Sequence, residues 1–188
     1  MKEIEKIRSK KELIDYLARG KKAKYLCFWG HTEKDKNIVT KTCFSQWYVS
    51  PFTVDNVCYK TAEHFMMAEK ARLFGDEEVL NKIIESKHPH QAKKLGRQVT
   101  GFDNGVWDKN CFDIVVKGNV EKFEQNESLK AFLVGTGSRV LVEASPVDKI
   151  WGVGLAEEHE DAVNPFKWKG LNLLGFVLME VRERLKSL

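Results

Sequence analysis

The chain has 188 residues, enough for one domain with a substantial hydrophobic core. Hydrophobic residues make up 43% and charged residues 31%, which is typical of a soluble globular protein. No run approaches the roughly 18 apolar residues that a membrane span needs, which excludes a transmembrane protein. The net charge of +4 suits an anionic ligand such as a phosphate but is too small to indicate nucleic-acid binding by itself.

The first half of the chain predicts short elements. An amphipathic helix is expected over residues 2–18, with a break near Ser9 because Ser9 and Glu12 have capping-box spacing. The segment "AKYLCFWG" at 23–30 is typical of a strand. Residues 43–60, rich in aromatics and valine and interrupted by proline and "DN", predict short strands or a hairpin.

Helices dominate the rest of the chain. The first is expected to begin after the cap residue Thr61 and to end near Gly75. Further helices are predicted at 76–86, 89–99, 103–126 and 127–137. A strand at 140–145 and an irregular loop at 151–170 precede a last helix in "LNLLGFVLMEVRERL", which places Leu171, Leu174, Leu178, Val181 and Leu185 at helical spacing. These elements predict a mainly α fold with a small β component (α+β) in a single compact domain.

The four cysteines form no C-x-x-C pair. The N-terminal stretch "MKEIEKIRSKKELIDYLARGKK" alternates charges and lacks the apolar core of a signal peptide. We therefore expect a reduced cytoplasmic protein, or a nuclear one in a eukaryote, with no membrane partner.

The helix after Thr61 places a carboxylate and an amine on its apolar side. At about 100° per residue, the following residues all lie within roughly 60° of Glu63: Met66, Met67, Lys70 and Phe74. Ala68 and Arg72 fall on the opposite half. Glu63 and Lys70 are two turns, or about 10.5 Å, apart. Two explanations are open, a partly buried ion pair or a functional site, because buried charges are costly unless they are paired.

A second acidic residue favours the site. Asp148 precedes Trp151 and Gly152, where a strand gives way to the irregular loop. Trp107 and Trp168 add further flat rings, on which a heterocyclic base can stack. Each tryptophan taken alone is more typical of a core, but together these residues predict a pocket for an aromatic, polar molecule.

Other chemistries find little support in the sequence. "AEHF" reverses the order of a zinc-protease motif, and His88 and His90 lie two apart around a proline, so we predict no metal site. No cysteine has an activating neighbourhood. There is neither a P-loop nor a G-x-G-x-x-G after a strand.

Several longer motifs carry a resemblance. The segments "SQWYVSPF", "YKTAEHFMMAEKA", "AKKLGRQVTGFDNGVWD", "KFEQN", "VLVEASPVDKIWGVGL" and "WKGLNLLGFVLMEVRERL" occur in this order. Together they resemble the NADAR (YbiA-like) family from about Phe28 to Leu185. The resemblance divides the chain into an N-terminal helical extension at 1–25 and a family domain at 26–188.

The resemblance implies an N-glycosidase that needs no cofactor. Family members hydrolyse a ribose C1′–N bond, some in phosphoribosylamino-pyrimidine intermediates of riboflavin synthesis, others in ADP-ribosylated guanine. The expected partner is a small nucleotide-like substrate or ADP-ribosylated nucleic acid. Val153 and the longer loop at 155–169 depart from the riboflavin-type relatives and favour the ADP-ribosyl substrate. A non-catalytic reader of ADP-ribose or nucleotides is the alternative from another class.

The resemblance also implies the site residues. The catalytic ones are Glu63, Asp148 and Lys70, and those that line the ligand site are Trp107, Trp151, Gly152, Arg97 and Asn172. Glu63 is expected to be the direct catalyst, with Asp148 orienting the sugar or acting as an acid. Two roles are open for Lys70. It either keeps Glu63 ionised or attacks the ring-opened aminosugar to form a Schiff base.

Overall fold

A computed structural model of the chain describes residues 2–33, 35 and 37–187. Within these residues there are seven α-helices: α1 Lys10–Ala18, α2 Ala62–Leu73, α3 Glu77–Glu85, α4 Pro89–Gly96, α5 Asn104–Glu124, α6 Glu127–Gly135 and α7 Leu173–Leu185. The same residues form four short strands: β1 Tyr25–Phe28, β2 Phe52–Val54, β3 Val57–Tyr59 and β4 Val140–Glu143. Short 3-10 helices lie at Glu3–Lys6, Lys41–Phe44 and Glu160–Val163. The fold is mainly α with a small β component, as the sequence predicts.

The chain forms two compact units. One comprises the residues up to Ser45 together with those from Ser128 onward, and the other comprises Gln46–Glu127. We call them the terminal unit and the central unit.

The core of the terminal unit lies around a two-stranded parallel sheet. Strand β1 pairs with β4 from Tyr25↔Val140 to Phe28↔Glu143. Three consecutive residues of β4, Val140 to Val142, are 0% exposed. Such a run is typical of a strand covered on both faces, and α7 packs against β4.

The N-terminal segment belongs to this unit. Ser9 accepts a hydrogen bond from the Glu12 backbone N–H and caps α1, so the predicted break near Ser9 is confirmed. Leu13 is 0% exposed. Arg8 forms an ion pair with Glu180 on α7. The segment is therefore packed into the terminal unit.

The central unit begins with a hairpin and continues with helices. Asp55 and Asn56 join β2 to β3 with φ values of 50° and 64°, the backbone that a two-residue hairpin turn requires. Thr61 then caps α2, accepting from the His64 N–H as the sequence predicts. Helix α2 packs against α3, α4 and α5.

The hairpin predicted within residues 43–60 is confirmed by β2 and β3, and Lys41–Phe44 form a 3-10 helix before it. Two local predictions need correction. Leu171 was predicted within the last helix, but it precedes α7 and is 50% exposed. The reason is that Asn172 has a left-handed backbone, which starts the helix only at Leu173.

The second correction concerns α2, which is buried on more than the Glu63 side. Ala68, on the half opposite Glu63, is 0% exposed, whereas Arg72 on that half is exposed. Contacts with three other helices bury the first two turns nearly all round. None of the helices among the described residues has the length and hydropathy to cross a membrane.

Candidate active site

Glu63 is the second residue of α2 and is only 2% exposed. Its backbone N–H donates to the Gln46 carbonyl at 2.9 Å. The first turn of a helix carries partial positive charge, which favours an ionised carboxylate there. The start of α2 thus holds a carboxyl group that is almost fully withdrawn from bulk water.

The residue that accepts the Glu63 N–H, Gln46, belongs to a buried amide pair. Gln46 Nε2 donates to Asn119 Oδ1 at 3.1 Å, and Asn119 Nδ2 donates to the Val115 carbonyl at 2.8 Å. Gln46 and Asn119 are 7% and 0% exposed. Their hydrogen bonds hold the Gln46 backbone against α5, so they position the residue that receives the Glu63 N–H.

Lys70 lies two turns along α2 among aromatic rings. Its Nζ is 3.9 Å from the ring centroid of Phe102 and 5.7 Å from that of Trp107. Burial and the positive charge of Arg97 lower the pKa of Lys70 below its usual 10.5. Burial and Arg97 therefore make the charged form of Lys70 less favourable than that of a solvent-exposed lysine.

Arg97 lies at the carboxyl end of α4 and lines a cavity of about 490 Å³. The other lining residues are Trp47, His90, Lys93 and Lys94. The rings of Trp47 and His90 meet edge to face with centroids 6.3 Å apart. This cavity combines cationic groups with aromatic walls, which suits a phosphorylated ligand that carries a flat base.

The remaining predicted residues lie in the terminal unit. Asp148 Oδ1 accepts from the backbone N–H groups of Ile150 at 2.9 Å and Trp151 at 2.8 Å. Its own N–H donates to Ser145 Oγ at 3.2 Å. One oxygen of this carboxylate therefore shapes the turn that carries Trp151.

Gly152 and Asn172 contact the protein's own backbone. A Cβ on Gly152 would lie 2.9 Å from the Glu143 carbonyl oxygen, so a side chain there would push the loop away from β4. Asn172 is 0% exposed. Its Nδ2 donates to the Leu141 carbonyl and its Oδ1 accepts from the Glu143 N–H, both at 2.9 Å. These contacts attach the start of α7 to β4.

The model of the NADAR domain family matches residues 27–186 of the chain. The chain belongs to this family. An N-glycosidase of Acanthamoeba polyphaga mimivirus is 44% identical over 165 residues, which cover 85% of this chain and 95% of the relative. The Escherichia coli N-glycosidase YbiA is 32% identical over 142 residues, 76% of this chain and 80% of the relative.

The fold of this NADAR protein is also that of a solved relative. The NMR structure of Escherichia coli YbiA aligns with a TM-score of 0.68 at 28% identity, covering 89% of this chain and 88% of that one. The family domain spans both compact units, since the matched residues 27–186 include parts of each.

The predicted residues of the NADAR domain fall into two groups. In the central unit, Lys70 lies against Trp107, and the charge of Arg97 acts on it. Glu63 and Lys70 lie on α2, Trp107 lies on α5, and Arg97 follows α4. In the terminal unit, the other four share the loop after β4: Asp148, Trp151, Gly152 and Asn172. Their roles in catalysis and ligand binding stay predictions.

Sequence reasoning missed Phe102, Trp47 and the Gln46–Asn119 pair. The one available signal was an aromatic residue directly after Gly101, since loop aromatics are often functional. Val153 is 0% exposed, so its side chain does not face a ligand and does not favour the ADP-ribosyl substrate. In the described part of the chain, no three potential metal ligands come together.

Proposed function

We propose that this protein removes ADP-ribose from guanine bases by hydrolysing the ribose C1′–N bond. The broader conclusion, without a named substrate, is that the chain is a hydrolase of N-glycosyl bonds. It follows from the NADAR domain and from relatives named N-glycosidases at up to 44% identity. The bond type is therefore the family's, and the choice of sugar and base is our proposal.

The observation that carries the proposal is the make-up of α2. A buried carboxyl, Glu63, opens the helix, and an amine with a lowered pKa, Lys70, lies two turns later against two aromatic rings. A protein that only bound nucleotides would gain nothing from a buried acid near a phosphorylated ligand, since like charges repel. This pairing favours an enzyme over a binding module.

The chemistry follows from the bond that breaks. As the C1′–N bond lengthens, positive charge develops on the sugar, which a nearby carboxylate stabilises. In the direct route, water attacks C1′ and gives its proton to Glu63, while the departing nitrogen takes up a proton. The role predicted for Asp148 from the family resemblance, orienting the sugar or acting as an acid, stays a separate prediction.

Lys70 offers a second route through the ring-opened sugar. Its neutral amine attacks C1′ of the open-chain imine and expels the guanine amino group, leaving a lysine Schiff base. Water then adds to C1′, releases the sugar aldehyde and returns the amine to Lys70. The lowered pKa of Lys70 supports this route over a purely electrostatic role.

The basic cavity supports the ADP-ribosyl substrate. Arg97 can bind a phosphate through two parallel N–H groups. Lys93, Lys94 and Arg97 together suit a diphosphate better than a single phosphate. Trp107, which lies near Lys70, is the proposed stacking surface for a heterocycle.

The test is a substrate panel. The protein is incubated with an oligonucleotide carrying ADP-ribosylated guanine and, separately, with the phosphoribosylamino-pyrimidine of riboflavin synthesis. We expect release of ADP-ribose from the first substrate. Sugar release from the second alone would overturn the proposed substrate, and release from neither would overturn the enzymatic reading of the site.

A further inference from the structure

The N-terminal extension contacts the long loop after β4 within the terminal unit. Lys10, the first residue of α1, is half-buried, and its Nζ donates a hydrogen bond to the Trp168 carbonyl oxygen at 2.6 Å. The two residues are 158 positions apart. Lys10 precedes the residues 27–186 that match the family domain, whereas Trp168 lies within them. The contact therefore joins a segment outside the family domain to one inside it.

The extension is fixed to the rest of the unit on both sides of Lys10. Arg8 forms an ion pair with Glu180 on α7, and Leu13 on α1 is 0% exposed. A cation in the first turn of a helix is unfavourable, because the N–H groups there carry partial positive charge. The dipole of α1 therefore does not explain a lysine at this position, whereas the hydrogen bond to Trp168 does.

The carbonyl that Lys10 reaches belongs to a peptide group that is bound on its other side as well. The N–H of this peptide group, that of Lys169, donates to the Val153 carbonyl at 2.9 Å, and the Gly170 N–H donates to the same oxygen at 2.9 Å. The Val153 N–H donates in turn to the Glu143 carbonyl on β4 at 2.9 Å. Lys10 is thus the outer end of a series of hydrogen bonds that leads to the parallel sheet.

The side chain of Trp168 ties the preceding part of the loop to the same place. Its ring is only 4% exposed, and its Nε1 donates to the Ala162 carbonyl at 2.8 Å. Ala162 lies in the 3-10 helix Glu160–Val163 and is 1% exposed. The backbone at Trp168 is therefore the point at which the loop, the sheet and the N-terminal extension are joined.

The residues that follow this point run beside the turn that carries two predicted ligand residues. The Asn172 N–H donates to the Gly152 carbonyl and the Leu174 N–H donates to the Trp151 carbonyl, both at 3.1 Å. A Cβ on Gly170 would lie 2.2 Å from the Gly152 oxygen, so the two backbones are in close contact. A displacement of the residues after Trp168 would therefore also displace Trp151 and Gly152.

We propose that Lys10 is a positioning residue, through which the N-terminal extension holds the loop of Trp151 and Gly152 in its ligand-binding position. This deepens the proposed function and rests on it, because the family resemblance predicts that these two residues line the ligand site. Lys10 acts through the Trp168 carbonyl and has no part in breaking the C1′–N bond. Its loss should therefore weaken substrate binding more than it slows the chemical step.

The experiment compares three variants with the wild type. Lys10→Met keeps an unbranched side chain but removes the donor, and Lys10→Arg restores a cationic donor. Lys11→Met removes the same charge from the exposed neighbour in the same helical turn. Hydrogen–deuterium exchange detected by NMR follows the Lys169 and Gly170 amides, which both donate to the Val153 carbonyl. Steady-state kinetics with the oligonucleotide that carries ADP-ribosylated guanine gives kcat and KM.

We expect both amides to exchange about tenfold faster in Lys10→Met, the scale for losing a hydrogen bond to a charged group. KM should rise about threefold or more, because the apparent affinity falls with the fraction of molecules whose loop is in its binding position. In the same variant kcat should stay within about twofold of the wild type, since the chemical groups are unchanged. Lys10→Arg should restore the exchange rates and KM, and Lys11→Met should match the wild type.

Unchanged exchange in Lys10→Met, or equal acceleration in Lys11→Met, would overturn the inference. Faster exchange with an unchanged KM would overturn it too, because Lys10 would then stabilise the loop without positioning the ligand residues. Failure of the proposed function looks different, since the wild type itself would release no ADP-ribose from the oligonucleotide. The exchange rates would still show in that case whether Lys10 holds the loop.

Discussion

At the scale of single residues, the state of the Lys70 amine matters most. Phe102 and Trp107 flank its Nζ, and burial together with Arg97 lowers its pKa below 10.5. A lower pKa leaves more neutral amine at a given pH, and only the neutral amine attacks a carbon. The rate of a Schiff-base route therefore rises with pH and levels off above the lowered pKa of Lys70, where most of the amine is neutral.

This predicts a covalent intermediate. Treating the enzyme with cyanoborohydride during turnover should add the mass of the sugar moiety at Lys70, as peptide mass spectrometry would locate. Lys70→Arg keeps the charge but cannot form the imine, so it should give no adduct and lose about a hundredfold or more in rate. The exposed Lys109→Arg is the matched control and should retain the adduct. An adduct in the Lys70→Arg variant would refute the assignment.

Asn172 has a structural role that can be measured. Its amide bridges the backbone of β4 through two hydrogen bonds of 2.9 Å, and its φ is +59°. The absent side chain of Gly175 makes room for it, since a Cβ there would lie 2.4 Å from Asn172 Nδ2. The residue thus combines a left-handed turn with strand-like pairing.

Replacing Asn172 should lower the free energy of unfolding in two steps. Asn172→Gly keeps the left-handed backbone accessible but loses both hydrogen bonds, at a cost of about 2–3 kcal/mol. Asn172→Ala should lose about 1 kcal/mol more, because an alanine disfavours positive φ. Urea denaturation measures both. Equal stability of the two variants would contradict the backbone part of this account.

At the scale of elements, His64 joins the start of α2 to the end of α3. Its Nδ1 accepts from Thr61 Oγ1 at 2.8 Å, and its Nε2 donates to the Ser86 carbonyl at 3.3 Å. Burial lowers the pKa of His64 from 6.5 to about 4. The folded protein therefore holds this ring neutral under conditions in which an unfolded chain would protonate it.

The consequence is a pH-dependent stability. Between pH 6.5 and 4 the unfolded chain binds a proton at His64 that the folded chain does not, so unfolding becomes easier as the pH falls. Below pH 4 the free energy of unfolding is therefore about 3 kcal/mol lower than it is above pH 6.5. His64→Gln should flatten this part of the profile of unfolding free energy against pH, whereas the exposed His90→Gln should leave it in place. An unchanged profile in His64→Gln would contradict the assignment.

Helix ends were predictable from sequence because their signals are local. Thr61 caps α2, Pro89 opens α4, and Asp55-Asn56 turns the hairpin within a few residues of where each signal lies. The burial around α2 and the exposure of Leu171 were not predictable, because both depend on segments distant in sequence. Periodicity describes one helix in isolation, whereas packing decides how many of its sides are covered.

At the scale of the whole molecule, the family and the two charged residues of α2 could be identified from sequence, since both lie in contiguous motifs. The contact of Phe102 with Lys70 and the Gln46–Asn119 amide pair could not be identified, because they join residues far apart in the chain. The contacts of Asn172 and Gly152 within the protein were also not predictable from sequence. Their motif suggested ligand contacts, while their observed partners are backbone atoms.

The central claim is that Glu63 carries the hydrolysis. The most direct measurement is ADP-ribose release from the modified oligonucleotide by the wild type and by Glu63→Gln, with circular dichroism to establish that both are folded. We predict that the variant keeps the wild-type spectrum and turns over about a hundredfold more slowly or worse, the scale for losing a positioned base. Wild-type turnover by a folded Glu63→Gln protein would contradict the account.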